Sequence, residues 1–175
     1  MPSEFLRVPE DRIGVLIGSK GLVKKKIERL TLTKLEVDSE EGEVGIEGKD
    51  GEKVLTASNI VKAIGRGFSP EKAFLLLKDD YALEVIKLKE VIGKKASDLT
   101  AKKSRVIGRH GSIRGKIERE TKCLVSVYGN TIAIIGKMGQ MEKAKKAIEM
   151  ILEGAEISTM ENFLEEEEEK TRFEL

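Results

Sequence analysis

The chain has 175 residues, 39% hydrophobic and 36% charged, with 32 basic and 31 acidic side chains for a net charge of +1. No stretch approaches the roughly 18 uninterrupted apolar residues of a membrane span, and Met1-Pro2-Ser3-Glu4 lacks the basic-then-apolar start of a secretion signal, so the expectation is a soluble, cytoplasmic protein. A single Cys123 excludes an internal disulfide, and one His110 beside one cysteine excludes the usual Cys/His zinc site, so no cofactor is expected.

From the N-terminus, Phe5 to Val8 reads as a strand, residues 10–17 as a short helix, and residues 22–31 as a second helix with Val23, Ile27 and Leu30 on one face. Lys34 to Val37 and Val44 to Glu47 read as strands about an acidic, Gly-containing turn, and residues 51–65 as a longer helix with Val54, Ile60, Val61 and Ile64 inward. Gly65-Arg66-Gly67-Phe68-Ser69-Pro70 superficially looks like a nucleotide loop but lacks the Lys-Ser/Thr ending of a P-loop. It reads instead as the connection between two domains, with Phe68 packed between them and residues 71–78 forming a short apolar helix over the junction.

Leu83 to Leu88 reads as the next strand, residues 100–107 and 112–121 as helices, and Leu124 to Tyr128 with Thr131 to Ile135 as a hairpin. Its turn, Gly129-Asn130, tolerates positive φ. Residues 139–153 form a helix carrying Met141, Ala144, Ala147, Ile148 and Ile151 toward the sheet and stopping near Gly154. The acidic run Glu165 to Glu169 reads as a solvated helix end, with an interaction segment as the alternative.

The architecture rests on an internal repeat. The fifteen residues from Ile17 to Thr31 recur 90 positions later from Ile107 to Thr121, with eight identities that include both glycines of Gly18-Ser19-Lys20-Gly21 and Gly108-Arg109-His110-Gly111. The order β-α-α-β-β-α occurs twice. The expected fold is therefore α+β, two tandem type I KH domains, each a three-stranded antiparallel sheet with helices on one face. Expected bounds are 1–80 for the first domain with its junction helix, 81–154 for the second, and 155–175 for an acidic C-terminal helix or tail.

In each Gly-x-x-Gly a helix ends and another begins within four residues, which demands backbone angles and close approach that side chains obstruct. The loop also offers N–H groups at a helix start, where anions are favoured, and clamping a nucleotide backbone is the known use of this loop in KH domains. Charge points to the second copy: residues 81–154 are net +8, against −1 for residues 1–80 and −6 for residues 155–175. Lys102, Lys103, Arg105, Arg109, Arg114, Lys116, Arg119 and Lys122 all fall within 21 residues, the arrangement that supplies salt-dependent phosphate affinity. Single-stranded RNA contact is accordingly assigned to Gly108, Arg109, His110, Gly111, Arg105, Ile107, Ser112, Ile113, Arg114, Lys116, Lys102 and Lys103. Gly18, Ser19, Lys20, Gly21, Lys24 and Lys25 form a secondary set for RNA or a partner, because the acidic hairpin Asp38 to Glu43 repels RNA nearby. Ile107, Ile113, Val125 and Val127 are candidates for an aliphatic base groove, with alternation leaving open which face Val125 and Val127 occupy. No paired carboxylate or second histidine accompanies His110, so no catalytic site and no metal are assigned.

With these motifs in place, the chain resembles the two-KH ribosome-assembly proteins of archaea and eukaryotes that accompany the Nob-one endonuclease. The most specific matches are Ala63 to Ala73 and Arg105 to Gly111, and the intact first loop resembles the archaeal form. The resemblance implies binding to the 3′ region of small-subunit precursor ribosomal RNA. It also implies an rRNA endonuclease and the alpha subunit of translation initiation factor two as partners. The alternative reading is a KH-fold adaptor that recruits those proteins with little RNA affinity of its own.

Overall fold

A computed structural model describes residues 1–93 and 96–174 and divides the chain into two compact units, Met1–Asp79 and Asp80–Leu175. In the first unit the elements are β1 (Ser3–Arg7), α1 (Glu10–Ile17), α2 (Leu22–Thr31), β2 (Thr33–Asp38), β3 (Glu43–Gly48), α3 (Gly51–Gly65) and α4 (Pro70–Ala73), the last followed by a 3-10 turn at Phe74–Leu77. The second contains β4 (Tyr81–Lys87), α5 (Leu88–Ile92), α6 (Ala96–Ile107), α7 (Ser112–Thr121), β5 (Leu124–Tyr128), β6 (Thr131–Lys137), α8 (Met138–Leu152) and α9 (Ile157–Glu174). Each unit holds a three-stranded antiparallel sheet, ordered β1-β3-β2 and β4-β6-β5, so β2 and β5 are edge strands.

Alternation builds the first core. On β3, Val44 and Ile46 are buried while Glu43 and Glu47 are exposed, the period-two pattern of a sheet covered on one face. Leu16, Ile27, Leu35, Ile60 and Ile64 are fully buried with them. Asp50 caps α3 by accepting from the Glu52 N–H at 2.9 Å. In the second unit α8 lies on β4 and β6 through Met141, Ala144, Ala147, Ile148 and Ile151, which join Ile132, Ile134, Val106 and Ile117 in one core.

Several expectations change. Leu30 is 40% exposed, and Thr31 takes the inward position, its Oγ1 donating to Ile27 O at 2.7 Å. The core-facing stripe of α2 runs through Ile27 and Thr31, on the far side of Val23 from Leu30. Leu88 opens α5 instead of ending β4, and α6 begins at Ala96, ahead of the predicted 100.

The stretch Gly65–Pro70 is tied into the first unit by hydrogen bonds. Phe68 N–H donates to Ala63 O at 3.1 Å, and the Arg12 guanidinium donates to Ile64 O at 2.8 Å and Phe68 O at 2.7 Å. Carbonyls at a helix C-terminus have no intrahelical partner, and Arg12 satisfies them from α1.

The acidic C-terminal segment is an 18-residue helix whose Met160 and Leu164 enter the second core. Its Glu165–Glu169 run lies on a helix anchored through those two residues. No described helix is long and apolar enough to cross a membrane.

Candidate nucleic-acid interface

The two Gly-x-x-Gly loops have the same backbone. Gly18 and Gly108 both have φ 72° and ψ 175°, Lys20 and His110 both have φ 54°, and Gly21 and Gly111 have φ 72° and 73°. Two independent segments with different residues between their glycines therefore adopt one conformation, including a non-glycine residue in the left-handed region that costs energy to hold. The glycines do different jobs. A Cβ on Gly18 would sit 2.4 Å from Val23 Cγ2, and one on Gly108 would sit 2.4 Å from Ile113 Cγ1 and 2.8 Å from Ile113 N, so close approach forbids a side chain. At Gly21 and Gly111 nothing lies within 3.5 Å of such a Cβ, and only the positive φ selects glycine.

In both loops the glycine N–H groups turn inward. Gly18 donates to Gly14 O at 2.9 Å and Gly21 to Gly18 O at 3.2 Å; Gly108 donates to Ser104 O at 2.9 Å and Gly111 to Gly108 O at 3.2 Å. Between the glycines stand Ser19 and Lys20 in the first loop, and Arg109 and His110 in the second. Those four side chains are exposed. The side chains of Arg109 and His110 make no hydrogen bond or ion pair with the described residues. The bend stands at the start of a ten-residue helix, the end of a helix where negative charge is favoured, beside the exposed Arg109 guanidinium.

The basic cluster divides once the partners are known. The Arg105 guanidinium donates to Ile151 O at 2.9 Å and Ala155 O at 2.6 Å, closing the end of α8 as Arg12 closes α3, so it is withdrawn from the phosphate set. Lys116 pairs with Glu161 of α9 at 3.3 Å, and Lys103 donates to Gly129 O in the hairpin turn at 2.9 Å. Arg114 is half exposed and reaches Glu118 at 3.5 Å. Lys102 is half-buried, with its Nζ 3.9 Å from where a Cβ on Gly154 would lie. Ser112 is exposed at the start of α7.

Of the groove candidates, Val125 is buried in the core and Val127 and Ile113 pack against it, which settles the inward face of β5; Ile107 stays half-exposed beside the loop. In the first unit Lys24 pairs with Glu28 at 3.5 Å, while Lys20 and Lys25 are exposed.

Residues 82–169 match the model described as a eukaryotic type KH domain, type I, and residues 3–63 match the KH domain model. The KH domain-containing protein MJ0443 of Methanocaldococcus jannaschii is 48% identical over 179 residues, covering 98% of this chain and 78% of that protein. The crystal structure of Dim2p from Pyrococcus horikoshii has a TM-score of 0.88 at 46% identity, covering 95% of this chain and 99% of that one. This chain belongs to the archaeal two-KH-domain family of Dim2p. A second Pyrococcus horikoshii structure, of an a/eIF2alpha-aDim2p-rRNA complex, matches with a TM-score of 0.90 at 45% identity, over 97% of this chain and 95% of that one.

Beyond the loops that define a KH domain, this family member carries features that its motifs did not flag. Phe5 is 80% exposed on the open face of the first sheet, in register with Gly45, and its ring lies 3.2 Å from where a Cβ on Gly45 would be. Glu36, Asp38, Glu40 and Glu43 line one open depression with it, Glu43 paired with Arg7 at 3.0 Å and Glu36 with Lys34 at 3.2 Å. Asp38 also orders the acidic turn by accepting from the N–H groups of Glu40 and Glu41 at 3.0 and 3.1 Å. The alternation of β1 would have placed Phe5 outward had Leu6 been read as the core residue. Among the described residues no group of three or more His, Cys, Asp or Glu is arranged to hold a metal ion.

Proposed function

We propose that this protein binds single-stranded RNA through the Gly108–Gly111 loop of its second KH domain, as a ribosome-assembly factor acting on the 3′ region of small-subunit precursor rRNA in the cytoplasm. The observation that carries the reading is the loop itself: two outward side chains, Arg109 and His110, with no partner among the described residues, on a backbone whose angles favour glycine at 108 and 111. Phosphate contacts at the loop position the strand, and base contacts would come from the adjoining edge of the sheet. The rRNA-containing complex of the Pyrococcus relative supports an RNA ligand, and its a/eIF2alpha component supports the alpha subunit of translation initiation factor two as a protein partner. An rRNA endonuclease is the further partner of this reading. The first loop, with the same geometry and Lys20, Lys24 and Lys25 close by, is a secondary phosphate site.

The test is fluorescence anisotropy with labelled single-stranded RNA, including the 3′ end of small-subunit rRNA and an unrelated oligomer, at two salt concentrations. Arg109→Asp/His110→Asp is compared with Ser19→Asp/Lys20→Asp. Loss of affinity confined to the second-loop variant, in protein that remains folded, supports the reading; retention in both variants refutes it. The acidic face around Phe5 favours a second role for the first unit as a protein-binding surface, in which case ruining both loops leaves partner binding intact.

A further inference from the structure

The two repeats share more than their loops. Lys24 and Glu28 in α2, and Arg114 and Glu118 in α7, place a cation one turn before a carboxylate, 3.5 Å apart in both units. Each glutamate then reaches the outer edge of its sheet. Glu28 Oε1 accepts from the Leu35 N–H at 2.8 Å, and Glu118 Oε2 accepts from the Val125 N–H at 3.3 Å. Because β2 and β5 are edge strands, these N–H groups point away from the sheet and are donors that an extended ligand would otherwise meet.

In the second unit the arrangement is continuous with the loop. The Arg114 guanidinium lies 3.6 Å from where a Cβ on Gly111 would be, and its Nε is 3.5 Å from Glu118 Oε1. Loop, guanidinium, carboxylate and edge strand follow one another. A strand clamped by phosphate at the loop and running along β5 therefore meets a carboxylate where the bare backbone would have offered a donor.

A bond that merely staples α7 to β5 accounts for the contact with Val125, but it does not exhaust the group. An ionised carboxylate accepts at about four lone-pair sites; two are engaged here, and the side chain is 22% exposed.

Resting on the RNA-binding reading above, we propose that Glu118 determines base preference in the second KH domain by accepting a hydrogen bond from the exocyclic amino group of cytosine or adenine and disfavouring uracil. Cytosine N4 and adenine N6 are donors that a carboxylate accepts, and single-stranded RNA exposes them on the Watson–Crick edge. Uracil presents carbonyl oxygens on both sides of its one ring N–H, so it sets acceptors against an acceptor-only group.

The full-length chain is titrated with labelled octamers of cytidine, adenosine and uridine, and with a cytidine octamer in which every base is replaced by 2-pyrimidinone, which lacks only the amino group. Wild type is expected to bind the cytidine and adenosine octamers about tenfold more tightly than the uridine one, and to lose that advantage on the 2-pyrimidinone octamer. In Glu118→Gln the gap narrows to about twofold, because a carboxamide donates as well as accepts. Equal wild-type affinity for the cytidine and 2-pyrimidinone octamers overturns the proposal, as does a tenfold gap retained by Glu118→Gln; either result leaves Glu118 as a strand staple. If wild type binds none of the octamers, the RNA-binding reading itself has failed, an outcome separate from the other two. Should Glu118→Gln not fold, Glu118→Asp, which keeps the charge but shortens the reach, takes its place, and equal wild-type affinity for the cytidine and 2-pyrimidinone octamers still overturns the proposal.

Discussion

Replacing Gly108 and Gly111 one at a time by alanine separates the two reasons for glycine in the second loop. At Gly111 the new methyl group meets nothing closer than Arg114 Nη2 at 3.6 Å, so the cost is that of the left-handed backbone, about 1–2 kcal/mol. At Gly108 the combination of φ 72° and ψ 175° is a region reserved for glycine, at about 1–3 kcal/mol. The Cβ also lands 2.4 Å from Ile113 Cγ1 and 2.8 Å from the Ile113 backbone N, an overpacking that adds about 1–3 kcal/mol. With about 4–8 °C lost per kcal/mol for a domain of this size, Gly111→Ala should lower the melting temperature by roughly 4–16 °C. Gly108→Ala should lower it by at least about twice as much as Gly111→Ala, or prevent folding of the second unit. Circular dichroism melts of the two variants beside wild type are sufficient. Gly18→Ala should behave like Gly108→Ala, since Val23 stands where Ile113 does. Equal small losses at Gly108 and Gly111 would refute the close-approach argument and leave backbone angle as the sole reason for both glycines.

Arg105→Met should destabilise the second unit by about 3–6 kcal/mol in urea unfolding, because two carbonyls at and just past the end of α8 lose a charged donor, each such bond being worth about 1.5–3 kcal/mol. The same substitution should leave the salt dependence of RNA binding unchanged, whereas removing a true phosphate contact lowers the slope by about one. Cys123 is 1% exposed and burial pushes its thiol up, so a thiol reagent at pH 8 should react with it slowly in the native protein and fast in denaturant. Lys145 has a raised pKa, chiefly from its hydrogen bond to Glu84 at 2.8 Å. A raised folded-state pKa gives stability that is present at neutral pH and is lost as pH rises through it, so Glu84→Gln should cost stability at pH 7 and nothing in strongly alkaline solution. Both side chains are more than a third exposed, which holds that cost to about 0–1 kcal/mol by urea unfolding.

The comparison of Arg105 with Arg109 shows where sequence reading stops. Both sit in one basic run, and charge density alone gives them the same role. Which of them faces solvent depends on carbonyls at Ile151 and Ala155, some 46 and 50 residues away in the chain. Lys116 is similar, since Glu161 on α9 reaches it only because Met160 and Leu164 bring that helix onto the core. Glu28 and Glu118 were visible as an identity between the repeats, but their bonds to edge strands were not, because periodicity within a helix says nothing about what lies across the groove.

The sequence by itself determined the repeat, the β-α-α-β-β-α order and the two glycine loops. These follow from local rules: side-chain period along helices and strands, and the backbone angles and close approach that only glycine allows. The tertiary structure alone decided which charges are tied up internally, which face of β5 joins the hydrophobic core, and that the acidic C-terminal segment is an anchored helix. Those outcomes depend on pairs of groups far apart in the chain, where satisfying a buried carbonyl or filling a core position takes precedence over the charge pattern of any single segment.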